Sequence, residues 1–95
     1  MEIKNLKNNT KKVNVKGKII EKTPTKTFSR MGGEGKIAVA VLEDETGKIE
    51  LTLWNEDTEK YKVGDEIEVK NGYVKLFRGY KQLSAGKKGE ILKIE

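Results

Sequence analysis

Short runs in which apolar and polar residues alternate recur along this chain. Because successive side chains of a strand point to opposite faces, such runs predict half-buried β-strands. Val13, Val15 and Ile19 share one face of the first run, and Gly17 predicts a bulge or a sharp bend within it. The predicted strands are residues 13–21, 36–43, 48–54, 66–77 and 80–85, followed by a closing segment at 90–94. The pattern predicts an all-β protein.

The segments between these runs carry turn and helix signals. Residues 23–35 hold the only proline and three closely spaced glycines, which predicts a loop. Residues 44–47 predict a tight hairpin turn, and the polar residues 55–62 predict a short helical turn. Five strands with a helical turn between the third and the fourth favour a five-stranded Greek-key OB barrel over another small β-barrel. We expect residues 1–95 to form one domain.

The fourth strand changes its apolar parity midway. Ile67 and Val69 point inward, whereas Val74 and Leu76 continue the pattern one residue out of step. A regular strand cannot do this without turning its core face outward, so Asn71-Gly72 predicts a bulge. The residues then expected to face outward together are Tyr73, Lys75 and Phe77.

Trp54 has the parity of the polar residues in its strand. Ile49, Leu51 and Leu53 point inward, so the Trp54 indole is expected to face outward. Burying the indole would have removed a large apolar surface from water. Outward rings suit stacking on nucleobases, because every base presents a π-face. We therefore predict that Trp54, Tyr73 and Phe77 form a stacking surface, with Tyr80 as a candidate fourth ring.

Structural roles for the same residues are the alternatives. Without a bulge Tyr73 and Phe77 belong to the core, and Trp54 can cap the barrel against the helical turn. Phe28 and Arg30 in the predicted loop are candidates for a clamp on a ligand.

Composition narrows the function classes. Cysteine and histidine are both absent, which removes disulfides, Cys/His zinc sites and nucleophile–histidine pairs. We expect no enzymatic activity, no metal and no cofactor.

The net charge of +5 favours an anionic partner, and abundant Lys and Glu is typical of thermophile proteins. The candidate phosphate contacts are Lys75, Arg78 and Lys87. We find no signal peptide or membrane span and expect a cytoplasmic, nucleoid-associated protein.

The stretches DETGKIELTLWN (44–55) and VGDEIEVKNGYVKLFRGYKQLSAGKKGEI (63–91) resemble the single-OB single-stranded DNA-binding proteins of archaea and their eukaryotic relatives. The shared elements are the D-E-T-G turn, L-T-L-W, V-G-D, N-G-Y and the F-R-G turn. The barrel also resembles individual modules of archaeal replication protein A. Two departures are the absence of an acidic tail after Glu95 and Ser84 in place of an aromatic residue found in some eukaryotic members.

The resemblance implies roles for particular residues. Trp54, Tyr73 and Phe77 fall on the family's base-stacking positions, Asn55 on a polar base contact and Lys87 on a basic loop position. With Gln82 as a further polar contact, we expect non-specific binding of single-stranded DNA by a monomer, with protein partners in DNA repair or replication. The alternatives are an RNA-binding, tRNA-anticodon-type OB module and a protein-interaction subunit of a larger complex.

Overall fold

A closed β-barrel forms the body of the protein. The computed structural model describes residues 3–7, 9–77, 79–85 and 89–94, with the backbone alone for Asn5, Arg30 and Phe77. The elements are a 3-10 turn (Ile3–Asn5), β1 (Lys11–Lys22), β2 (Lys26–Arg30), β3 (Gly33–Asp44), β4 (Gly47–Trp54), α1 (Asp57–Lys60), β5 (Glu66–Phe77), β6 (Tyr80–Ser84) and β7 (Glu90–Ile94). No helix in the described part is long and apolar enough to cross a membrane.

Five of the strands close the barrel in the order β1-β3-β4-β6-β5, and β5 returns to β1. The β4–β6 pair is parallel and joins Glu50 to Gln82 and Leu51 to Leu83, whereas the other pairs are antiparallel. Helix α1 lies between the third and fourth barrel strands, β4 and β5. The predicted all-β OB barrel is therefore confirmed. The closing segment β7 pairs with β5 beside this circuit.

The inward positions of the strands form one core. Apolar alternation places them correctly, because successive side chains of a strand point to opposite faces. On the outer face, Thr52 and Ser84 are buried as well. Tyr61, which follows α1, is also buried, and its hydroxyl donates a hydrogen bond of 2.6 Å to the carbonyl oxygen of Ile91. The buried strand residues are Val13, Val15, Ile19, Ala38, Ala40, Leu42, Ile49, Leu51, Leu53, Ile67, Val69, Val74, Leu83 and Ile91.

The predicted bulge in β5 is present. Val13 of β1 pairs with Gly72, and Val15 pairs with Val69, so one β1 residue faces two residues of β5. Asn71 takes a φ of 55° there. As a result, Val69 and Val74 are both fully buried although one has an odd and the other an even number. This explains the parity change in the sequence. Leu76 departs from the prediction, since 51% of its surface is exposed at the end of the barrel.

Two expectations for the first half of the chain need correction. Residues 23–35 are not one loop, because β2 pairs with the first part of β3 in a hairpin. Of the two alternatives predicted for Gly17, a bulge or a sharp bend, only the bulge is wrong, because the register of β1 shifts on either side of Gly17, at Val13/Val15 and at Ile19/Glu21. Gly17 lies where β1 passes from β5 to β3, and a Cβ there would lie 2.7 Å from the Glu43 carbonyl oxygen.

Candidate nucleic-acid interface

Trp54 is the last residue of β4 and lies on the outer face of the sheet. The preceding apolar residues of β4 are buried, so strand alternation directs the indole outward, where 38% of the residue is exposed. Its backbone partner on β3 is Ile37, which is half-buried on the same outer face. Trp54 therefore offers a ring surface to solvent at one edge of a partly apolar patch.

Phe28 covers another part of the indole. The centroids of the two rings lie 6.0 Å apart and their planes meet at 85°, an edge-to-face contact. From the sequence, Phe28 is predicted to be a clamp residue in a loop. The structure places it on β2, in contact with Trp54, and the indole is therefore less exposed than its parity alone suggests.

The β2–β3 hairpin holds Phe28 in this position. Phe28 pairs with Gly35, and three carbon atoms of its ring come within 2.4–3.0 Å of where a Gly35 Cβ would lie. Only glycine leaves room for the ring to lie across the strand at that point. Arg30, the other candidate clamp residue, pairs with Gly33 beside the tip of the hairpin, and its side chain is outside the described part.

Tyr73 and Lys75 share the outer face of β5, as predicted from the bulge. Tyr73 is half-buried, and the Lys75 Nζ lies 5.2 Å from the centroid of its ring, a cation–π contact. The ammonium group is thus held beside one ring face. Phe77 ends β5 and its backbone pairs with Tyr80.

A polar strip connects Trp54 with Tyr73 across β4, β6 and β5. Gln82 pairs with Glu50 on one side and Lys75 on the other, and its Oε1 accepts a hydrogen bond of 3.4 Å from Thr52 Oγ1. Ser84 pairs with Tyr73, and its buried hydroxyl has no hydrogen-bond partner among the described residues. Strand parity points to Thr52 and Ser84, but the residue types alone give no reason to single them out.

Asn55 has a structural role that the sequence does not predict. It adopts a φ of 53°, donates its backbone N–H to the Lys36 carbonyl oxygen at 2.8 Å, and accepts the Lys36 N–H on Oδ1 at 3.2 Å. It therefore closes the end of the β3–β4 ladder while its surface remains exposed.

The lysines divide into those held by the fold and those on the surface. Lys22 is half-buried, and its Nζ donates hydrogen bonds to the carbonyl oxygens of Thr58 and Tyr61, so it joins the end of β1 to α1. Lys75 lies on the candidate interface. Arg78 and Lys87, the other predicted phosphate contacts, lie outside the described residues.

This barrel and its outer face define a class of protein. The family model of the OB-fold nucleic acid binding domain (tRNA anti-codon) matches residues 13–91. The match covers most of the chain, and the chain belongs to this family. It includes all the strands that close the barrel except the first two residues of β1.

Individual relatives are more specific. The single-stranded DNA binding protein Ssb of Saccharolobus solfataricus is 33% identical over 90 residues, which cover 95% of this chain and 61% of that protein. Replication factor A of Methanothermobacter thermautotrophicus is 34% identical over 92 residues, which cover 96% of this chain and 12% of that protein. The chain therefore corresponds to only a part of each relative.

A solved structure agrees with both sequence matches. The second OB-fold domain of replication protein A from Methanococcus maripaludis superimposes with a TM-score of 0.79 at 34% identity, covering 100% of this chain and 94% of that one. The predicted resemblance to archaeal single-stranded DNA-binding proteins and replication protein A modules is confirmed. By name, these relatives are a single-stranded DNA binding protein, a replication factor A and a domain of replication protein A.

Proposed function

We propose that this chain binds single-stranded DNA with little sequence preference and catalyses no reaction. The observation that carries the proposal is the outward indole of Trp54, set edge-on against Phe28 on the same sheet face as Tyr73. Stacking on an aromatic ring contributes about 1–3 kcal/mol per base and tolerates any base. The single-stranded DNA binding relative supports DNA as the ligand.

Each residue of the interface has a proposed role. Trp54, Tyr73 and Phe77 stack on bases, while Asn55 and Gln82 add polar contacts at the edges of the bases. The predicted phosphate contacts are Lys75, Arg78 and Lys87, and Phe28 and Arg30 clamp the strand from the hairpin. A surface of this size suits about 4–6 nucleotides, toward the low end of the range for OB folds.

The biological setting is a separate proposal, and the names of the relatives support only its link to single-stranded DNA and replication. We infer that the chain acts as a monomer in the cytoplasm, associated with the nucleoid, and protects single strands during replication, recombination or repair. Proteins of those processes are its expected partners. The parts of the two relatives that this chain does not cover carry no weight in this inference.

A fluorescence titration tests the proposal directly. The chain has a single tryptophan, so its emission reports on one place in the interface. We expect oligo-dT to quench Trp54. For single strands the logarithm of affinity falls with the logarithm of salt concentration with a slope of about −0.7 per phosphate contact. Three contacts then predict a slope of about −2, which is about a twentyfold loss for a fourfold rise in salt.

Two comparisons separate this function from its alternatives. An RNA oligonucleotide of matched sequence differs from the DNA mainly by its 2′-hydroxyl groups, and tighter binding of the RNA would favour the tRNA-anticodon-type function. Absence of quenching by either nucleic acid, together with a dimer in sedimentation, would assign the exposed rings to a protein interface. Duplex DNA of the same length serves as the control, because its bases are not free to stack on the rings.

A further inference from the structure

A groove of about 540 Å³ lies at the opposite end of β4 from Trp54. Its walls are the N-terminal 3-10 turn, the β3–β4 turn and the beginning of β6. The residues that matter for binding are Lys4, Lys48, Glu50, Tyr80 and Lys81. The volume is within the range of about 300–1,000 Å³ that is typical of small-molecule sites.

The N-terminal wall of the groove is fastened to the barrel. Asp44 Oδ2 accepts the Ile3 N–H at 2.8 Å, and Thr46 Oγ1 accepts the Lys4 N–H at 3.2 Å. From β6, the Lys81 Nζ donates a hydrogen bond of 2.9 Å to the Leu6 carbonyl oxygen. The groove is therefore formed in the free protein and does not need a ligand to assemble it.

Tyr80 places an aromatic ring in this groove. It is 69% exposed, far more than Trp54. Glu50 lies opposite Gln82 in the parallel β4–β6 pair. Lys48 and Tyr80 lie two residues earlier on their strands, so they share the parity of that pair, and both line the groove. An aromatic ring and an ammonium group thus line the same groove.

The charges of the groove favour an anion. Lys4, Lys48 and Lys81 line it together with one carboxylate, that of Glu50. Lys48 forms an ion pair of 3.8 Å with Glu43, but both side chains are largely exposed, and such surface pairs are weak. The Lys48 ammonium therefore remains available to a phosphate group.

The groove is continuous with the proposed DNA-binding face. The backbone of Phe77 pairs with that of Tyr80, so a DNA strand that reaches Phe77 arrives next to the groove. Lys48 lies six residues before Trp54 on β4, which corresponds to about 20 Å along the strand. A single strand that runs along β4 from Trp54 has to cross this distance to enter the groove.

We propose that the groove is a further nucleotide subsite, in which a base stacks on Tyr80 and its phosphate is bound by Lys48 and Lys4. The inference rests on the proposed single-stranded DNA binding and extends it to a longer strand. An oligonucleotide that covers only the Trp54 end does not reach the groove, whereas a longer one fills both.

Oligonucleotides of two lengths test the subsite. The probes are end-labelled oligo-dT of about four and about ten nucleotides, and affinity is measured by fluorescence anisotropy. We expect Tyr80→Leu to weaken binding of the long probe at least about fivefold and to leave the short probe unchanged. Tyr80→Phe retains the ring and should bind both probes as the wild type does. Lys48→Gln should reduce the salt slope for the long probe alone by about 0.7.

The possible failures can be told apart. If Tyr80→Leu binds each probe as tightly as the wild type does, and both probes quench Trp54, the subsite is overturned and the proposed function stays intact. Equal weakening of both probes by Tyr80→Leu also overturns it, since Tyr80 would then belong to the Trp54 end. If neither probe binds the wild type, the proposed function itself fails. Val63→Ala, at another exposed apolar residue, controls for general effects of substitution.

Discussion

The ring of Phe28 meets the indole of Trp54 edge to face, with centroids 6.0 Å apart and planes at 85°. The two residues belong to different strands, β2 and β4, and both of these flank β3. The contact fixes one side of the indole, and 38% of the residue remains exposed to solvent. A ring held in this way is pre-organised for stacking, because less of its motion has to be frozen when a base binds.

Removal of the Phe28 ring should weaken binding through Trp54. In Phe28→Ala the edge-to-face contact is lost, and such contacts contribute about 0.5–1.5 kcal/mol. We expect oligo-dT affinity to fall by a similar amount and the Trp54 emission of the free protein to shift to longer wavelength. Phe28→Tyr keeps the ring and should resemble the wild type. Identical emission and affinity in Phe28→Ala would show that the contact has no part in binding.

Trp54→Ala should reduce affinity for oligo-dT by about 1–3 kcal/mol while the barrel stays folded. The fold should persist because the indole is on the outer face and the core residues of β4 are untouched. Anisotropy of a labelled oligonucleotide measures binding after the only tryptophan is lost, and circular dichroism reports the fold. Wild-type affinity in a folded variant would remove Trp54 from the interface, and Val63→Ala is the matched control.

Asp44 should contribute to stability at neutral pH. Partial burial acts to raise the pKa of its carboxyl group, but hydrogen bonds from the Thr46 hydroxyl and from the backbone N–H groups of Ile3, Thr46 and Gly47 outweigh it and lower the pKa below the ordinary value of 3.8. This contribution is therefore present above pH 3.8 and is lost as the pH falls through the lowered pKa of the folded state.

We accordingly expect Asp44→Asn to lower the free energy of unfolding at neutral pH by on the order of 1 kcal/mol. The difference from the wild type should shrink once the pH is well below 3.8, where both side chains are neutral. Urea unfolding of both proteins, at neutral pH and at a pH well below 3.8, measures this difference in the free energy of unfolding. Glu45→Gln changes an exposed carboxylate in the same turn and should have little effect at either pH. If the stability difference between Asp44→Asn and the wild type did not depend on pH, the stabilising role of the ionised Asp44 carboxylate would be contradicted.

Lys22 should stabilise the fold without binding DNA. Its ammonium group donates hydrogen bonds to the carbonyl oxygens of Thr58 and Tyr61 and is half-buried. Hydrogen bonds of charged groups contribute about 1.5–3 kcal/mol, so Lys22→Met should lower the free energy of unfolding by an amount in this range. Oligo-dT affinity of the folded variant should not change. Lys16→Met, at an exposed position of β1, is the control for loss of one positive charge.

The strands that face the core on one side could be predicted from the sequence. Burial of Ile49, Leu51 and Leu53 and exposure of Trp54 follow from alternation alone. The parity change between Val69 and Val74 located the bulge, because a strand cannot keep both residues inside without one extra residue between them.

Strand β2 could not be predicted in the same way. Its residues are mostly exposed, so its pairing with β3 depends on backbone hydrogen bonds and leaves no hydrophobic pattern in the sequence. Proline and glycine near its ends favoured a loop instead. The position of Leu76 could not be predicted either. Its parity is that of a core residue, but 51% of its surface is exposed.

Local alternation, turn residues and the bulge are properties of neighbouring residues, and the sequence was enough to establish the barrel strands and the outward side of Trp54 and Tyr73. Which outward residues meet is decided by the register between distant strands. Phe28 reaches Trp54 across β3 because the β2–β3 hairpin folds back, and Tyr80 lines the same groove as Lys48 because β4 and β6 run parallel. These juxtapositions depend on long-range pairing, for which no short stretch of sequence carries the information.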